Sequence, residues 1–367
     1  MISSISDIDK FISDKSFKKI FILTGKNSFE ISGAKKMLNN FFLNKKTKIF
    51  YKNSEIPVLE ELTDIVNDIK SFKPDLILAI GGGAVIDYSK IANVIFDTNN
   101  ISNLIINYSY PIKKKNTKLA VIPTTAGAGA EVTSNAVLYI NKIKYSLESD
   151  LLIPDFFFLI PEFLISAPNK IKASAGFDCI AQALESLVSK KSNDLSVDYA
   201  LKSLEISIYN YTSFLEKPNF KNAAAMSLAA NLAGKAINIS KTTAPHAVSY
   251  PFTSLYKISH GHAVSLFFES FFKFNFYNID KSNVSFDLRK RFDLIFNIFQ
   301  ISSIEEFSLK ISSIKNRANL ESDLSKLDIN VKKNFDKVIS GINLLRLSNN
   351  PVKLDEKDIY KIITKVY

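Results

Sequence analysis

The first half of the chain alternates short apolar runs with stretches that carry apolar residues at helical spacing. Four apolar, β-rich runs predict strands, at residues 19–24, 47–51, 75–80 and 118–123. The stretches leading to Leu38 and from Val58 to Phe72 show the period of helices. Strands and helices that alternate in this way favour parallel strands joined by right-handed crossovers. We expect a doubly wound, Rossmann-like α/β domain over residues 1–165.

From about Ser166 the pattern changes to long stretches with a period of 3.6 residues and almost no β-rich runs. The clearest stretches are residues 177–188, 196–208, 223–236 and 258–274. We therefore expect an all-α domain over residues 166–367, with the boundary placed on this switch of period alone.

Composition and charge exclude several classes of protein. Hydrophobic residues make up 46% and charged residues 23%, which excludes wholesale disorder. No uninterrupted apolar run approaches the ~20 residues that span a bilayer, the N-terminus lacks a secretion signal, and one cysteine forms no internal disulfide. The basic residues behind the net charge of +11 are scattered along the chain, so we expect no nucleic-acid partner. We also expect no membrane partner and a cytoplasmic location.

Two turns indicate a nucleotide site. The third predicted strand runs into Gly81-Gly-Gly-Ala-Val-Ile-Asp87, where bare backbone N–H groups at a helix N-terminus favour a phosphate. A purely structural turn is the alternative. A second turn, Pro-Thr-Thr-Ala-Gly-Ala-Gly-Ala-Glu-Val-Thr at residues 123–133, follows the next strand. Because both turns end neighbouring parallel strands, they define one crevice and together favour a dinucleotide.

All three histidines lie within residues 246–262, which indicates metal binding or acid–base chemistry. Upstream, Asp178 and Gln182 are four residues apart on a predicted helix and so share one face. Asp178 stands in a small, apolar run, where a carboxylate is costly unless it is paired or bound to a cation. The alternative is an exposed aspartate in the first turn of a helix.

These motifs, taken in chain order, resemble the signatures of the iron-containing (group III) alcohol dehydrogenases. They are the two turns, Gly-Phe-Asp-Cys-Ile-Ala-Gln-Ala-Leu-Glu-Ser around Asp178, and the segment from His246 to His260-Gly. The resemblance covers about residues 19–268, and the last hundred residues carry no matching motif. It implies that the α/β domain binds NAD(P), that the helical domain holds a divalent metal, and that the active site lies in the cleft between them.

The resemblance assigns the metal ligands by position to Asp178, His246 and His260. The fourth ligand, normally histidine, falls on Gln182, whose neutral amide oxygen is the weaker ligand. Two imidazoles and one carboxylate suit Fe²⁺, with Zn²⁺ as the alternative. Tyr250 stands where the family often has a further histidine. His262 has no counterpart among the ligands and is expected to line the cleft.

Cofactor contacts are implied in the same way. The pyrophosphate turn is Gly81, Gly82, Gly83 and Asp87; the lining threonines are Thr124, Thr125 and Thr133; and Lys144 is expected at the ribose. Lys52 stands where many members have an acidic residue that bonds the ribose 2′-hydroxyl. A lysine there pairs with a 2′-phosphate, which favours NADPH slightly over NADH, although an ordinary solvated lysine is an equal alternative.

The resemblance also implies a reaction. Hydride passes from the nicotinamide to a carbonyl carbon, and the metal acts as the Lewis acid at the carbonyl oxygen. Tyr250, His262 and bound water are unranked candidates for the proton donor. Lys235 and Lys241 stand before His246, where members acting on plain alcohols usually have apolar residues or glycine; we group both lysines with the catalytic candidates.

The two lysines and the His-Gly-His sequence resemble the subgroup that reduces phosphonoacetaldehyde to 2-hydroxyethylphosphonate. We expect a metal-dependent NAD(P)H oxidoreductase acting on a small anionic aldehyde or alcohol. The alternative is that Lys235 and Lys241 are ordinary surface residues of a lysine-rich protein and do not bind substrate. Other candidates are a general short-chain alcohol or glycerol dehydrogenase, a lyase like dehydroquinate synthase, which has His-Gly-Glu instead, and a silent binding protein. The oligomeric state stays open, with a homodimer as the working expectation.

Overall fold

The computed structural model describes residues 2–14, 17–95, 97–141 and 143–364. The chain divides into two compact units, the first formed by Met1–Pro168 with Pro218–Asn231 and the second by Asn169–Lys217 with Leu232–Tyr367. The periodicity of the sequence gave no sign that residues 218–231 group with the first unit. Among the described residues, no helix is both long enough and apolar enough to cross a membrane.

The first unit is built on a parallel sheet. Its strands are β1 (Lys19–Gly25), β2 (Lys46–Lys52), β3 (Leu76–Gly81), β4 (Lys118–Pro123), β5 (Asn135–Ile140), β6 (Ile143–Glu148) and β7 (Phe156–Phe157). The sheet has the order β2-β1-β3-β4-β7, and every neighbouring pair is parallel. The residues of β3 are all buried, which explains their continuous apolar run. The predicted α/β domain is confirmed.

The helices of this unit connect the strands. They are α1 (Ile5–Asp14), α2 (Lys26–Ile31), α3 (Ala34–Leu38), α4 (Leu59–Phe72), α5 (Gly83–Ala92), α6 (Ile101–Ile106) and α7 (Glu162–Ile165). The sequence did not predict the antiparallel hairpin of β5 and β6. This hairpin is joined to the segment before α4, because the Tyr139 backbone N–H donates to the carbonyl oxygen of Pro57 at 2.7 Å.

The second unit is helical, as predicted. Its helices are α8 (Asn169–Val188), α9 (Asp194–Glu216), α10 (Phe220–Ser240, which starts in the first unit), α11 (Ala244–Tyr256), α12 (His260–Ser265), α13 (Phe268–Tyr277), α14 (Leu288–Phe299), α15 (Ile304–Arg317), α16 (Phe335–Ser340), α17 (Leu344–Ser348) and α18 (Glu356–Thr364). The single helix predicted at residues 258–274 is two helices, since Phe267 leaves the helical conformation.

The last hundred residues, in which the sequence analysis found no matching motif, complete the core beneath the histidine segment. Phe252 of α11 and Phe267 pack in one cluster with Val338 of α16 and Ile363 of α18. Burial of these side chains fixes α11 and α12 as a rigid support.

Candidate metal centre and nucleotide turns

Three separate helices of the second unit bring Asp178, His246 and His260 together. Asp178 comes from the middle of α8, His246 from the first turn of α11, and His260 is the first residue of α12. One possible ligand atom from each residue lies within 4.8 Å of the others. The structure thus assembles the three side chains for which the sequence predicted metal binding.

The cluster has a buried side and an open side. His246 Nε2 lies 3.1 Å from Asp178 Oδ1, and His260 Nε2 lies 3.9 Å from the same oxygen. The side chains of Asp178 and His246 are 5% and 3% exposed, whereas that of His260 is 34% exposed. The alternative that Asp178 is an exposed first-turn residue is wrong, since α8 begins nine residues before it and buries it.

Gly261 explains why His260 of α12 reaches α8. A Cβ atom built on Gly261 would lie 1.9 Å from the carbonyl oxygen of Ser174 and 3.0 Å from Cβ of Asp178. The first of these separations is far shorter than any van der Waals contact, so only glycine allows this approach of the two helices. The preceding residue, His260, is thereby brought beside Asp178.

Gln182 lies one turn after Asp178 and is buried with it. Its Nε2 donates to Asp178 Oδ2 at 3.1 Å. Within the described part of the chain, its buried Oε1 has no hydrogen-bond partner, and such an atom calls for an explanation. A carboxylate, two imidazoles and a buried amide oxygen without a partner make a donor set that fits a divalent cation with O and N ligands.

A residue that the sequence analysis missed, Glu185, lies behind His246. Its Oε2 is hydrogen-bonded to His246 Nδ1. Burial alone would lower the pKa of His246, but the flanking Glu185 and Asp178 carboxylates raise it to about 10. Glu185 follows Asp178 by seven residues and Gln182 by three, so helical spacing put all three on one face, a signal the sequence did carry.

The two proposed proton donors have different surroundings. The ring of Tyr250 lies 5.8 Å from that of His260, centroid to centroid, so Tyr250 borders the cluster. His262 Nε2 instead donates to the carbonyl oxygen of Glu321 at 2.8 Å, and its backbone N–H donates to Ser174 Oγ. Burial lowers the pKa of His262. The group of ligand atoms around Asp178 does not include His262.

Lys235 lies on α10, and Lys241 lies directly after it. The ammonium of Lys235 lies 5.7 Å from the centroid of the Tyr199 ring, a cation–π contact with α9. Lys241 follows the last residue of α10 with φ of 59°, in the left-handed region, and its backbone N–H donates to Ile237. Both are partly buried.

The first unit brings the two predicted nucleotide turns side by side. Gly81 and Pro123 are partners in the β3–β4 register, and Thr124 N–H donates to the carbonyl oxygen of Gly81 at 3.0 Å. A Cβ built on Gly82 would lie 3.3 Å from Thr125 Oγ1. Gly83 begins α5, so the expected phosphate turn stands at a helix N-terminus.

A buried lysine that the sequence analysis missed holds the second turn. Lys90 Nζ, fully buried, donates to the Ala130 and Asn135 carbonyl oxygens at 2.7 and 2.8 Å and to Thr133 Oγ1 at 3.0 Å. Burial lowers its pKa to about 8. On the same helix, burial raises the pKa of Asp87 to about 6 against the opposing charges of Lys90 and Lys144.

Lys52 ends β2 directly beside the end of β1. It is the register partner of Gly25, and its Nζ donates to the carbonyl oxygen of Ser54 at 2.7 Å. Burial lowers its pKa, opposed by the charges of Glu61 and Glu55. The Glu61 carboxylate accepts backbone N–H groups of Asn53 and Ser54, which orders the turn after Lys52.

The chain combines a parallel α/β unit that carries two small-residue turns with a helical unit whose carboxylate–imidazole cluster could hold a metal ion. The family model for iron-containing alcohol dehydrogenase matches residues 2–161, and the model for the C-terminal part of the Fe-containing alcohol dehydrogenase family matches residues 172–367. The chain belongs to the iron-containing alcohol dehydrogenase family and is an alcohol/aldehyde oxidoreductase.

Similar proteins cover nearly the whole chain. A 4-hydroxybutyrate dehydrogenase of Clostridium kluyveri is 27% identical over 377 residues, 98% of this chain and 98% of that protein. An alcohol dehydrogenase of Thermococcus barophilus is 28% identical over 83% of this chain and 81% of that protein. The crystal structure of sulfoacetaldehyde reductase from Bifidobacterium kashiwanohense in complex with NAD+ has a TM-score of 0.87 and 24% identity, covering 100% of this chain and 96% of that chain.

Proposed function

We propose that this protein reduces a small anionic aldehyde, with phosphonoacetaldehyde as the leading candidate, to the primary alcohol at the expense of NAD(P)H. The observation that carries the proposal is the cluster of Asp178, His246 and His260, a donor set suited to Fe²⁺ or Zn²⁺. The balanced reaction converts aldehyde, NAD(P)H and one proton into alcohol and NAD(P)+.

Each group has a defined part in this reaction. When bound, a divalent cation supplies polarisation of the carbonyl oxygen and a reduced nicotinamide supplies the hydride. Asp178, His246 and His260, joined by the amide oxygen of Gln182, would hold the cation. The partly exposed His260 leaves the substrate side of the cluster open.

For the proton that the product oxygen gains, we propose Tyr250. Its ring borders that of His260, whereas the Nε2 proton of His262 is engaged by the carbonyl oxygen of Glu321. Tyr250→Phe is expected to lower kcat by about 10²–10⁴-fold, the usual contribution of general acid catalysis. His262→Asn should lower kcat far less.

The anionic substrate class rests on charge and on the similar proteins. The names of two of them, 4-hydroxybutyrate dehydrogenase and sulfoacetaldehyde reductase, refer to a carboxylate and a sulfonate. Lys235 and Lys241 add positive charge just before His246. An anionic group of the substrate would gain charge-assisted hydrogen bonds from such side chains.

The test is a panel of aldehydes that carry phosphonate, phosphate, sulfonate, carboxylate or no charge, each assayed with NADH and NADPH. We expect an anionic aldehyde to have the highest kcat/KM, and Lys241→Ala to raise its KM by about tenfold or more. Lys202→Ala removes the same charge from an exposed site paired with Asp198 and serves as the control. Faster turnover of the neutral aldehyde would make this a general alcohol dehydrogenase.

For the cofactor we propose a preference for NADPH, because Lys52 stands at the end of β2, where a 2′-phosphate would pair with it. Lys52→Asp is expected to shift the preference toward NADH by repelling the 2′-phosphate. An unchanged ratio of kcat/KM for the two cofactors in this variant would contradict the assignment.

A further inference from the structure

Glu185 is a fully buried carboxylate of α8 and lies on the same face of this helix as Asp178 and Gln182. A buried carboxylate is costly unless every lone pair finds a donor. Its two oxygens have different partners. One accepts hydrogen bonds at the start of α11, and the other contacts the ring of His246.

The first oxygen, Oε1, closes the N-terminus of α11. It accepts the backbone N–H and the hydroxyl of Thr243, each at 2.9 Å, and lies 3.4 Å from the backbone N of His246. Thr243 is the N-cap residue of α11, and its own side chain makes no capping bond. Glu185 therefore supplies from α8 the acceptor that the helix start needs, and its negative charge suits the positive end of the helix dipole.

The second oxygen, Oε2, faces the imidazole of His246. It is hydrogen-bonded to Nδ1, while the opposite ring nitrogen, Nε2, points to Asp178 Oδ1 at 3.1 Å. Both ring nitrogens face carboxylate oxygens, which only accept hydrogen bonds. With a cation held among Asp178, His246 and His260, Nε2 would be the ligand atom and the ring proton would lie on Nδ1, where Glu185 accepts it. The lone pair then lies on Nε2, on the side of the ring where His260 and Asp178 also converge.

We propose that Glu185 is a positioning residue that fixes the tautomer and ring orientation of His246, so that Nε2 is presented for a divalent cation. This inference rests on the proposed metal-dependent function. Carboxylate–histidine pairs behind a metal ligand generally raise metal affinity, and their loss lowers it by about 10–100-fold.

The test compares metal binding by full-length protein that has been stripped of metal and titrated with Co²⁺. Glu185→Gln keeps the size of the side chain but has one acceptor oxygen, so it can accept from Thr243 or from His246 Nδ1 and not from both. We expect its Kd for Co²⁺ to rise about 10–100-fold and the visible absorption bands of bound Co²⁺ to shift. Thr243→Val removes only the hydroxyl donor to Oε1; it should lower thermal stability and leave the Kd within about twofold.

The outcomes separate this inference from the function on which it rests. If the wild-type protein binds no Co²⁺, the metal site itself is refuted. If the wild-type protein binds Co²⁺ and Glu185→Gln has the same Kd and absorption spectrum, the positioning role is refuted while the metal site stands.

A second measurement needs no variant of Glu185 and decides the question if Glu185→Gln does not fold. The chain has three histidines, so ¹⁵N-histidine labelling of the Zn²⁺-loaded wild-type protein gives three ring systems. His262→Asn and His260→Asn assign them by loss of signal. We expect His246 to carry its proton on Nδ1; a proton on Nε2 would overturn the proposal.

Discussion

The two candidate sites of this protein are each supported by one buried ionised side chain, and the two charges are opposite. In the first unit Lys90 gathers three oxygen atoms of the segment Ala130–Asn135, and in the second unit Glu185 gathers N–H and O–H donors at the start of α11. The nucleotide turns depend on backbone shape, whereas the metal cluster depends on the aim of side chains from three helices. The two sites should therefore fail separately and in different ways.

Among the variants that separate the two sites, the largest expected effect comes from Asp178→Asn, which removes the anionic ligand of the cluster. Loss of several kcal/mol of transition-state stabilisation corresponds to a fall in kcat/KM of about 10³-fold. Bound metal, measured by elemental analysis, should also fall. Binding of NAD(P)H, followed by its fluorescence, should be unchanged. A parallel loss of cofactor binding would contradict the independence of the two sites.

Next in size is the effect of adding one methyl group in each unit. Gly261→Ala drives a Cβ into the Ser174 carbonyl, so α12 must move away from α8; we expect a loss of about 1–3 kcal/mol in the free energy of unfolding and weaker metal binding. Gly83→Ala is the matched control, since its Cβ would meet Ala128 at an ordinary 3.9 Å. Urea unfolding of the metal-free proteins measures both. Equal stability of the two variants would refute the close packing argument.

Lys90→Met tests the other buried charge. Three oxygens lose their donor, so the second turn should loosen and the KM for NAD(P)H should rise on the order of tenfold, with metal binding unchanged. The pKa of folded Lys90, about 8, lies below its ordinary value of 10.5, so the unfolded chain holds more protons between these values. The stability of the wild type relative to Lys90→Met should therefore increase as pH rises from 8 toward 10.5. If the difference in free energy of unfolding between the two proteins, measured with urea, does not change over this pH range, the assigned role of the Lys90 charge is contradicted.

The smallest effect is expected at Gln182. Replacing its amide with imidazole in Gln182→His offers a stronger ligand one turn after Asp178, and we expect metal affinity to increase only a few-fold. Gln182→Leu removes the amide and should weaken binding only a few-fold, because the amide is the weakest member of the set. If Gln182→His binds metal no better than wild type, the side chain at this position does not face the cation.

The sequence predicted the parts of the fold whose pattern is local. The strands β1, β3 and β4 are short apolar runs that end at glycine or before a turn, and β2 has β-rich residues at its centre. Runs of these kinds can be recognised without their neighbours. The two-residue strand β7 lies in an apolar stretch broken by prolines, and the β5–β6 hairpin mixes polar and apolar positions. The strand β7 gains its structure from pairing with β4, which a local pattern does not show. The β5–β6 hairpin is local, because its two strands are consecutive and pair with each other, and its pattern was overlooked.

The same limit applies to the sites. Motifs near Asp178 and His246 indicated metal chemistry, and the structure brings those side chains together. The helical spacing of Glu185 from Asp178 was a local signal that the analysis overlooked, whereas its contacts with Thr243 and His246, about sixty residues later, could not be predicted from a local pattern. Lys90 was missed for the same reason, since its partners lie forty or more residues further on. The ligand roles themselves remain predictions until metal binding is measured.

The uneven exposure of the cluster has a kinetic consequence. Asp178 and His246 are shut off from solvent, while His260 keeps a third of its surface open. A cation bound by Asp178 and His246 would enter and leave past His260. The His260 imidazole would therefore limit the rate of metal exchange. The variant His260→Ala should increase the rate of metal exchange more than it lowers the equilibrium affinity for metal. A chelator should therefore remove metal from this variant faster than from the wild type.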